Sequence, residues 1–138
     1  MYGIPIIQRC LTLEIQIKTA AVGAQIPFPD NNILRQAGVR VIGIDAFTST
    51  QLGSTSTGGT VVNSTDASFL TVTCLDDRNI NIANQLPYGN LISANNNGVI
   101  REFAPFTLVV QKSFIQVNSA SFTAGNYAVL NILYTVNK

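Results

Sequence analysis

The sequence predicts an all-β fold, a two-sheet antiparallel sandwich with the jelly roll favoured, about seven or eight strands and at most one short helix. Three observations carry this. Apolar and polar residues alternate with period two in several runs, turn-rich connections separate those runs, and almost nothing between them reads as helix. The chain is 138 residues long, a natural size for one domain with an adequate core.

In "QRCLTLEIQIKT", Leu11, Leu13, Ile15 and Ile17 share one face, and Thr12, Glu14, Gln16 and Lys18 the other, as in a half-buried strand. Next, "PFPDNNILRQAG" offers Asp30 as the N-cap of a helix of two turns at most, with Gly38 just past its end; a plain loop is the alternative. "VRVIGIDAF" is more continuously apolar and reads as a central strand, with Gly43 marking a bend or a close backbone approach.

"SFLTVTCLDD" puts Leu70, Val72 and Cys74 inward, and "NINI" and "VIREF" (Val99 to Phe103) are shorter candidates. "TLVVQKSFIQVN" and "YAVLNILYTV" read as two long closing strands. The first of these breaks phase, and a bulge near Lys112 to Phe114 would repair it.

Residues 48–68, "TSTQLGSTSTGGTVVNSTDAS", hold hydroxyls, glycines and amides with one charge. Strand patterns stand on both sides, and neither side closes a core alone, so residues 1–138 read as one domain and 48–68 as a long internal loop, not a linker. "TVVN" adds a short strand within it. A mucin-like stalk would want prolines and a secretory route.

Charged residues make up only 11% of the chain, against about 25% in an average soluble domain. The surface is therefore built from Asn, Gln, Ser and Thr. A net charge of +1 gives little repulsion between copies, which favours association. The eight basic residues are scattered, so nucleic acid is not the main partner expected. No apolar run reaches the length of a membrane span, and "MYGIPIIQRC" lacks the basic lead of a secretory signal. Cys10 falls with a polar face and Cys74 with an apolar one, which argues against a disulfide between them and for a reducing place of synthesis.

Chemistry-bearing constellations are scarce. The chain has no histidine, which removes Ser-His-Asp and Cys-His catalysis and the commonest zinc ligand. Gly58-Gly59 lacks the features of a phosphate loop. Asp76, Asp77 and Asn79 supply oxygens of the kind calcium takes, but their spacing matches no calcium loop; solvated turn residues are the simpler reading. Cys74, with no local base, reads as a small core residue. The expectation is a non-enzyme with no catalytic residue, cofactor or metal.

Two groups of residues are candidates for contact. In "MYGIPII", Tyr2, Ile4, Pro5 and Ile6 would lie on an adjacent subunit if the segment is an arm, or would cap their own sandwich. In "LPYGN", Tyr88 sits on a turn expected to be exposed, as a ligand-facing residue or as a cover for the end of the sandwich. The first and last strands carry few of the charges or prolines that block edge pairing, so either would invite a neighbour if it lies at an edge.

"IPFPDNNILRQAGVRVIGIDAF", the pair "QKSFIQVN" and "YAVLNILYTV", and the amide- and hydroxyl-rich surface without His or Trp together resemble a small virion structural protein of a bacteriophage, of the single jelly-roll type. The resemblance implies a capsid, vertex, cement or fibre-type subunit. Such a protein is made in the host cytoplasm without a signal peptide and assembles into the virion as a homo-oligomer or on a larger shell protein. The rival expectation is a carbohydrate- or receptor-binding β-sandwich module, with a glycan as partner.

Overall fold

The computed structural model describes residues 8–49, 61–62 and 66–136. Within them run β1 (Arg9–Gln16), β2 (Gln25–Pro27), β3 (Val39–Ser49), β4 (Val61–Val62), β5 (Leu70–Leu75), β6 (Asn81–Pro87), β7 (Arg101–Phe106), β8 (Phe114–Val117) and β9 (Tyr127–Val136). Four antiparallel pairs are nested first with last: β1 with β9, β2 with β8, β3 with β7 and β5 with β6. Two further pairings, β3 with β9 and β5 with β8, join these pairs into two sheets. Sheet A runs β1-β9-β3, with β7 and then β4 on the far side of β3; sheet B runs β2-β8-β5-β6. A ribbon of nested antiparallel pairs folded into two facing sheets is a jelly roll.

The alternation in β1 faces the core as its sequence requires. Leu11, Leu13 and Ile15 are buried, opposite Ile132, Leu130 and Ala128 of β9. Each such side chain taken fully from water stabilises the fold by about 1.5–3 kcal/mol. On the other face Thr12 donates from Oγ1 to Asn131 Oδ1 at 2.7 Å. Strand β1 is an edge of sheet A, whereas β9 lies inside it between β1 and β3.

Gly43 is the close approach that its sequence position suggests. The register of β3 slips between Val41 and Gly43 against both β9 and β7. With Val41 opposite Tyr134 and Gly43 opposite Leu133, Ile42 is the extra residue of a bulge. The bulge lets Val41 and Ile44, three positions apart, both face the core at 0% exposure. A Cβ on Gly43 would stand 3.2 Å from the carbonyl oxygen of Arg101, a β7 backbone atom that would have to give by a few tenths of an ångström.

Two expected elements take another form. The segment after Pro29 is a short run of hydrogen-bonded turns, with Arg35 N–H on Asn31 O at 3.3 Å and Gln36 N–H on Ile33 O at 3.1 Å, and its cap is Asn31, not Asp30. Asn31 Oδ1 accepts from the N–H groups of Ile33 and Leu34 at 2.9 and 3.2 Å, while Asp30 pairs with Arg35 in solvent at 3.1 Å. Of this turn only Leu34 is buried, too little apolar contact to extend a helix past its costly first turn.

The long strand expected over "TLVVQKSFIQVN" is interrupted. Leu108 makes one bridge to Asp76, a 3₁₀ turn follows over Val110–Lys112, and only Phe114–Val117 is strand. The turn, not a bulge, changes the phase. Buried Ser113 fixes it, donating to Val109 O at 2.8 Å and accepting from Leu75 N–H at 3.2 Å. Of the 48–68 stretch, β4 pairs back onto Thr48 and Ser49 of β3, and a 3₁₀ turn over Asp66–Phe69 leads into β5; its centre lies outside the described residues.

Tyr88 ties the sheets together. It follows β6 of sheet B and is fully buried, and its hydroxyl lies 2.8 Å from Phe47 O and 3.0 Å from Val129 O. Those carbonyls belong to directly opposed residues of β3 and β9 in sheet A. Small inward residues beside them, Ala46, Thr48 and Ala128, leave room for the ring to reach the backbone.

Tyr88→Phe keeps the ring and removes the shared donor, so it is expected to lower stability by about 1–3 kcal/mol. A urea titration should show a lower midpoint at unchanged slope; an unchanged midpoint would refute the tie. Gly43→Ala is expected to cost about 1–3 kcal/mol by overpacking against Arg101 O, read from the same titration.

Candidate functional site

The residues singled out from the sequence do not converge. Tyr2, Ile4, Pro5 and Ile6 lie outside the described residues. Tyr88, expected on an exposed turn, is instead enclosed, because sheet A offers its hydroxyl buried acceptors that water would otherwise have to supply. Loss of water pushes its hydroxyl pKa up, and the charge of Asp45 adds to this. It therefore remains a proton donor.

The acidic turn after β5 is a structural device. Asp76 is 1% exposed and closes the turn with its own oxygens. Oδ1 accepts from the N–H groups of Arg78 and Ile80 at 2.9 and 2.8 Å, and Oδ2 accepts from the Arg78 guanidinium at 3.2 Å. Asp77 is exposed, and Asn79 Oδ1 accepts from Lys112 Nζ. Asp76 thus has its oxygens occupied by protein donors and does not share an open site with Asp77 and Asn79.

Both cysteines are free, Cys10 exposed and Cys74 buried. Burial pushes the Cys74 thiol up to about 12, so it stays a neutral core thiol.

Two surface features stand out for how charge is distributed. The first is the outer face of sheet B. The strands β2, β5, β6 and β8 contain no charged residue, whereas sheet A carries Arg9, Glu14, Arg40, Asp45, Arg101 and Glu102. Pairing aligns Gln25, Gln116 and Thr71 in one row and Pro27, Phe114 and Thr73 in the next. Hydrogen bonds run along this face from Gln116 Nε2 to Asn118 Oδ1 at 3.1 Å and from Asn118 Nδ2 to Thr71 Oγ1 at 3.0 Å. The amides partly satisfy one another within the plane, and an ordered neutral face results.

The second feature is a recess at one end of the sandwich, in the connection from β6 to β7. Gly89, Asn90, Asn95, Asn96 and Arg101 line a space of about 420 Å³. A 3₁₀ turn over Tyr88–Leu91 and another over Ser93–Asn96 build its wall. Sequence reading found the turn but not the recess. "SANNNG" looks like any polar turn, and only folding brings it beside Arg101 and Gly89.

Compared with models of known protein families, with curated proteins and with solved structures, the chain matches none. The neutral face and the loop-end recess are therefore what its function can be argued from.

The Asp76 turn makes a pH prediction. Its carboxyl is held below the usual range chiefly by the Ile80 N–H, with the Arg78 N–H and guanidinium adding to this against desolvation. A lowered folded-state value means that the stabilisation is fully present above the ordinary carboxylate range, about pH 4, and is lost as pH falls through the folded value. Wild type should therefore exceed Asp76→Asn in stability at neutral pH, and the gap should close on acidification. Denaturant titrations at neutral and strongly acid pH measure it, and a gap that stays constant would contradict the assignment.

Proposed function

We propose that this chain is a non-enzymatic structural subunit of a virion, of the capsid, vertex, cement or fibre type. It associates with copies of itself or with a larger shell protein through the outer face of sheet B. The observation that carries the reading is the exclusion of every charged residue from the strands of that sheet. Interface cores are depleted in charge, because an ion removed from water without a partner costs several kcal/mol. A plane of amides, hydroxyls, Pro27 and Phe114 can be covered without that cost, and its amides can exchange partners with those of a neighbour.

Other features support this reading without singling out a role within a particle. The jelly roll is an architecture used by viral shells and by lectins, and a fold alone does not choose between them. The small net charge of +1 leaves little long-range repulsion between copies. Among the described residues the strand β1 pairs only with β9 and holds no proline and no lysine within Arg9–Gln16, devices that would block a neighbouring strand. The rival reading, a carbohydrate- or receptor-binding module, is favoured by the loop-end recess.

Light scattering over a concentration and salt series, followed by negative-stain imaging, tests the assembly reading. The expected outcome is a closed oligomer or larger shells and tubes. A lysine at the centre of the neutral face, in Gln116→Lys, should weaken assembly at least about tenfold, or ~1.4 kcal/mol, whereas Gln36→Lys, exposed in the turn before β3, should not. A protein that stays monomeric throughout and binds no larger structural partner would overturn the proposal.

A further inference from the structure

We propose that the recess between β6 and β7 is a binding site for an acidic sugar, a glycan residue carrying a carboxylate. This goes beyond the assembly reading and does not depend on it. The loop spends some of its polar groups on itself and leaves others at the recess.

The loop's backbone is held by its own bonds. Tyr88 anchors its start in the core, and Leu91 and Ile92 are buried. Ser93 N–H donates to Asp45 Oδ1 of β3 at 3.0 Å, which pins the middle of the loop to sheet A. Beyond the second 3₁₀ turn, Asn97 and Gly98 take left-handed conformations, φ +56 and +79, which these two residue types adopt most readily. Gly98 N–H closes onto Ser93 O at 2.8 Å and Val99 N–H onto Asn96 O at 2.9 Å. A loop so fixed presents its side chains with little ordering left to do on binding.

The side chains that line the recess are largely unspent. Asn90 and Asn95 make no side-chain hydrogen bond among the described residues, and Asn96 uses only Nδ2, in a long bond of 3.4 Å to Val99 O. The Asn95 amide stands over Gly89, its Nδ2 3.7 Å from where a Cβ would be. Arg101 is exposed and has no carboxylate partner among the described residues. Among the described residues no acidic side chain lines the recess, and the one formal charge there, on Arg101, is positive.

That donor set has a defined complement. A guanidinium presents a planar fork that fits a carboxylate with two parallel hydrogen bonds. Each Asn amide offers an acceptor and two donors, suited to adjacent sugar hydroxyls. A volume of about 420 Å³ lies within the range of about 300–1,000 Å³ of small-ligand clefts. The other candidates fit less of the set. A nucleic-acid backbone needs several clustered cations and would find one. A simple carboxylate or phosphate would engage Arg101 and leave the three amides unused. A neutral sugar would leave the guanidinium unpaired, and the lining holds no aromatic ring for it to stack on.

The test is saturation-transfer NMR on the full chain with the methyl glycosides of N-acetylneuraminic acid, glucuronic acid and glucose at millimolar concentration, with acetate and inorganic phosphate as competitors. At least one acidic glycoside should bind about tenfold or more tightly than the glucoside. Acetate and phosphate should compete poorly. Arg101→Gln, an exposed change expected to leave the melting curve intact, should abolish the preference for acid. Asn90→Ala should weaken acidic-sugar binding without changing the fold. Absence of binding by either acidic sugar, equal binding of the neutral one, full displacement by acetate or phosphate, or indifference to Arg101→Gln would each overturn the proposal. The light-scattering outcome is read separately, so failure of one proposal leaves the other standing.

Discussion

The structure depends on one buried hydroxyl that reaches from one sheet into the backbone of the other. A sandwich held only by apolar contact lets its sheets slide, because the hydrophobic effect has no direction. The Tyr88 hydroxyl supplies direction: it lies within 3.0 Å of the carbonyls of both Phe47 and Val129, in the strands that form the centre of sheet A. Enclosed from water, it has no competing partner, and in that low dielectric the bond is stronger than it would be at the surface. The position of the tyrosine fixes where β6 ends, and thereby where the following loop begins.

The loop's geometry follows from that anchor. Residues 88–100 leave sheet B at Tyr88, are pinned to β3 by Ser93 and Asp45, and enter β7 beside Gly43. The bulge at Gly43 and the close passage of Arg101 O are therefore part of the same construction that places the Arg101 side chain at the recess. The arrangement is not free of strain: Thr48 Oγ1 is buried on the inner face of β3 without a partner among the described residues, a cost of about 1–3 kcal/mol for an unsatisfied hydroxyl that the surrounding core must offset.

Charge divides the molecule in a way that matches two kinds of contact. Sheet A keeps its ions, and sheet B presents neutral amides and hydroxyls in rows. A plane without ions suits broad burial against another protein, where desolvating an unpaired charge would be prohibitive. An isolated guanidinium among amides suits a small polar ligand, where one charge-assisted pair sets orientation.

The sequence by itself determined the strands whose pattern is local. Period two in β1 and β9 follows from the pleat once one face is apolar, and it is visible without knowing the partner. The same holds for the short strand at Val61–Val62, for Gly43 as a close approach, and for Cys74 as a core thiol. Only the tertiary structure decided what depends on residues far along the chain: that β1 lies at an edge and β9 inside, that a 3₁₀ turn held by Ser113 breaks the penultimate strand, and that Asn31 rather than Asp30 caps its turn. Tyr88 shows why. A tyrosine after a proline on a turn is exposed or buried according to whether another segment brings acceptors to its hydroxyl, and here they come from residues 41 positions away on either side. The recess follows the same rule, since Asn90, Asn95 and Arg101 become one site only when two turns and a strand fix their separation. Pattern along a chain reports which face is apolar; which polar groups meet is set by register and packing, and no local spacing encodes it.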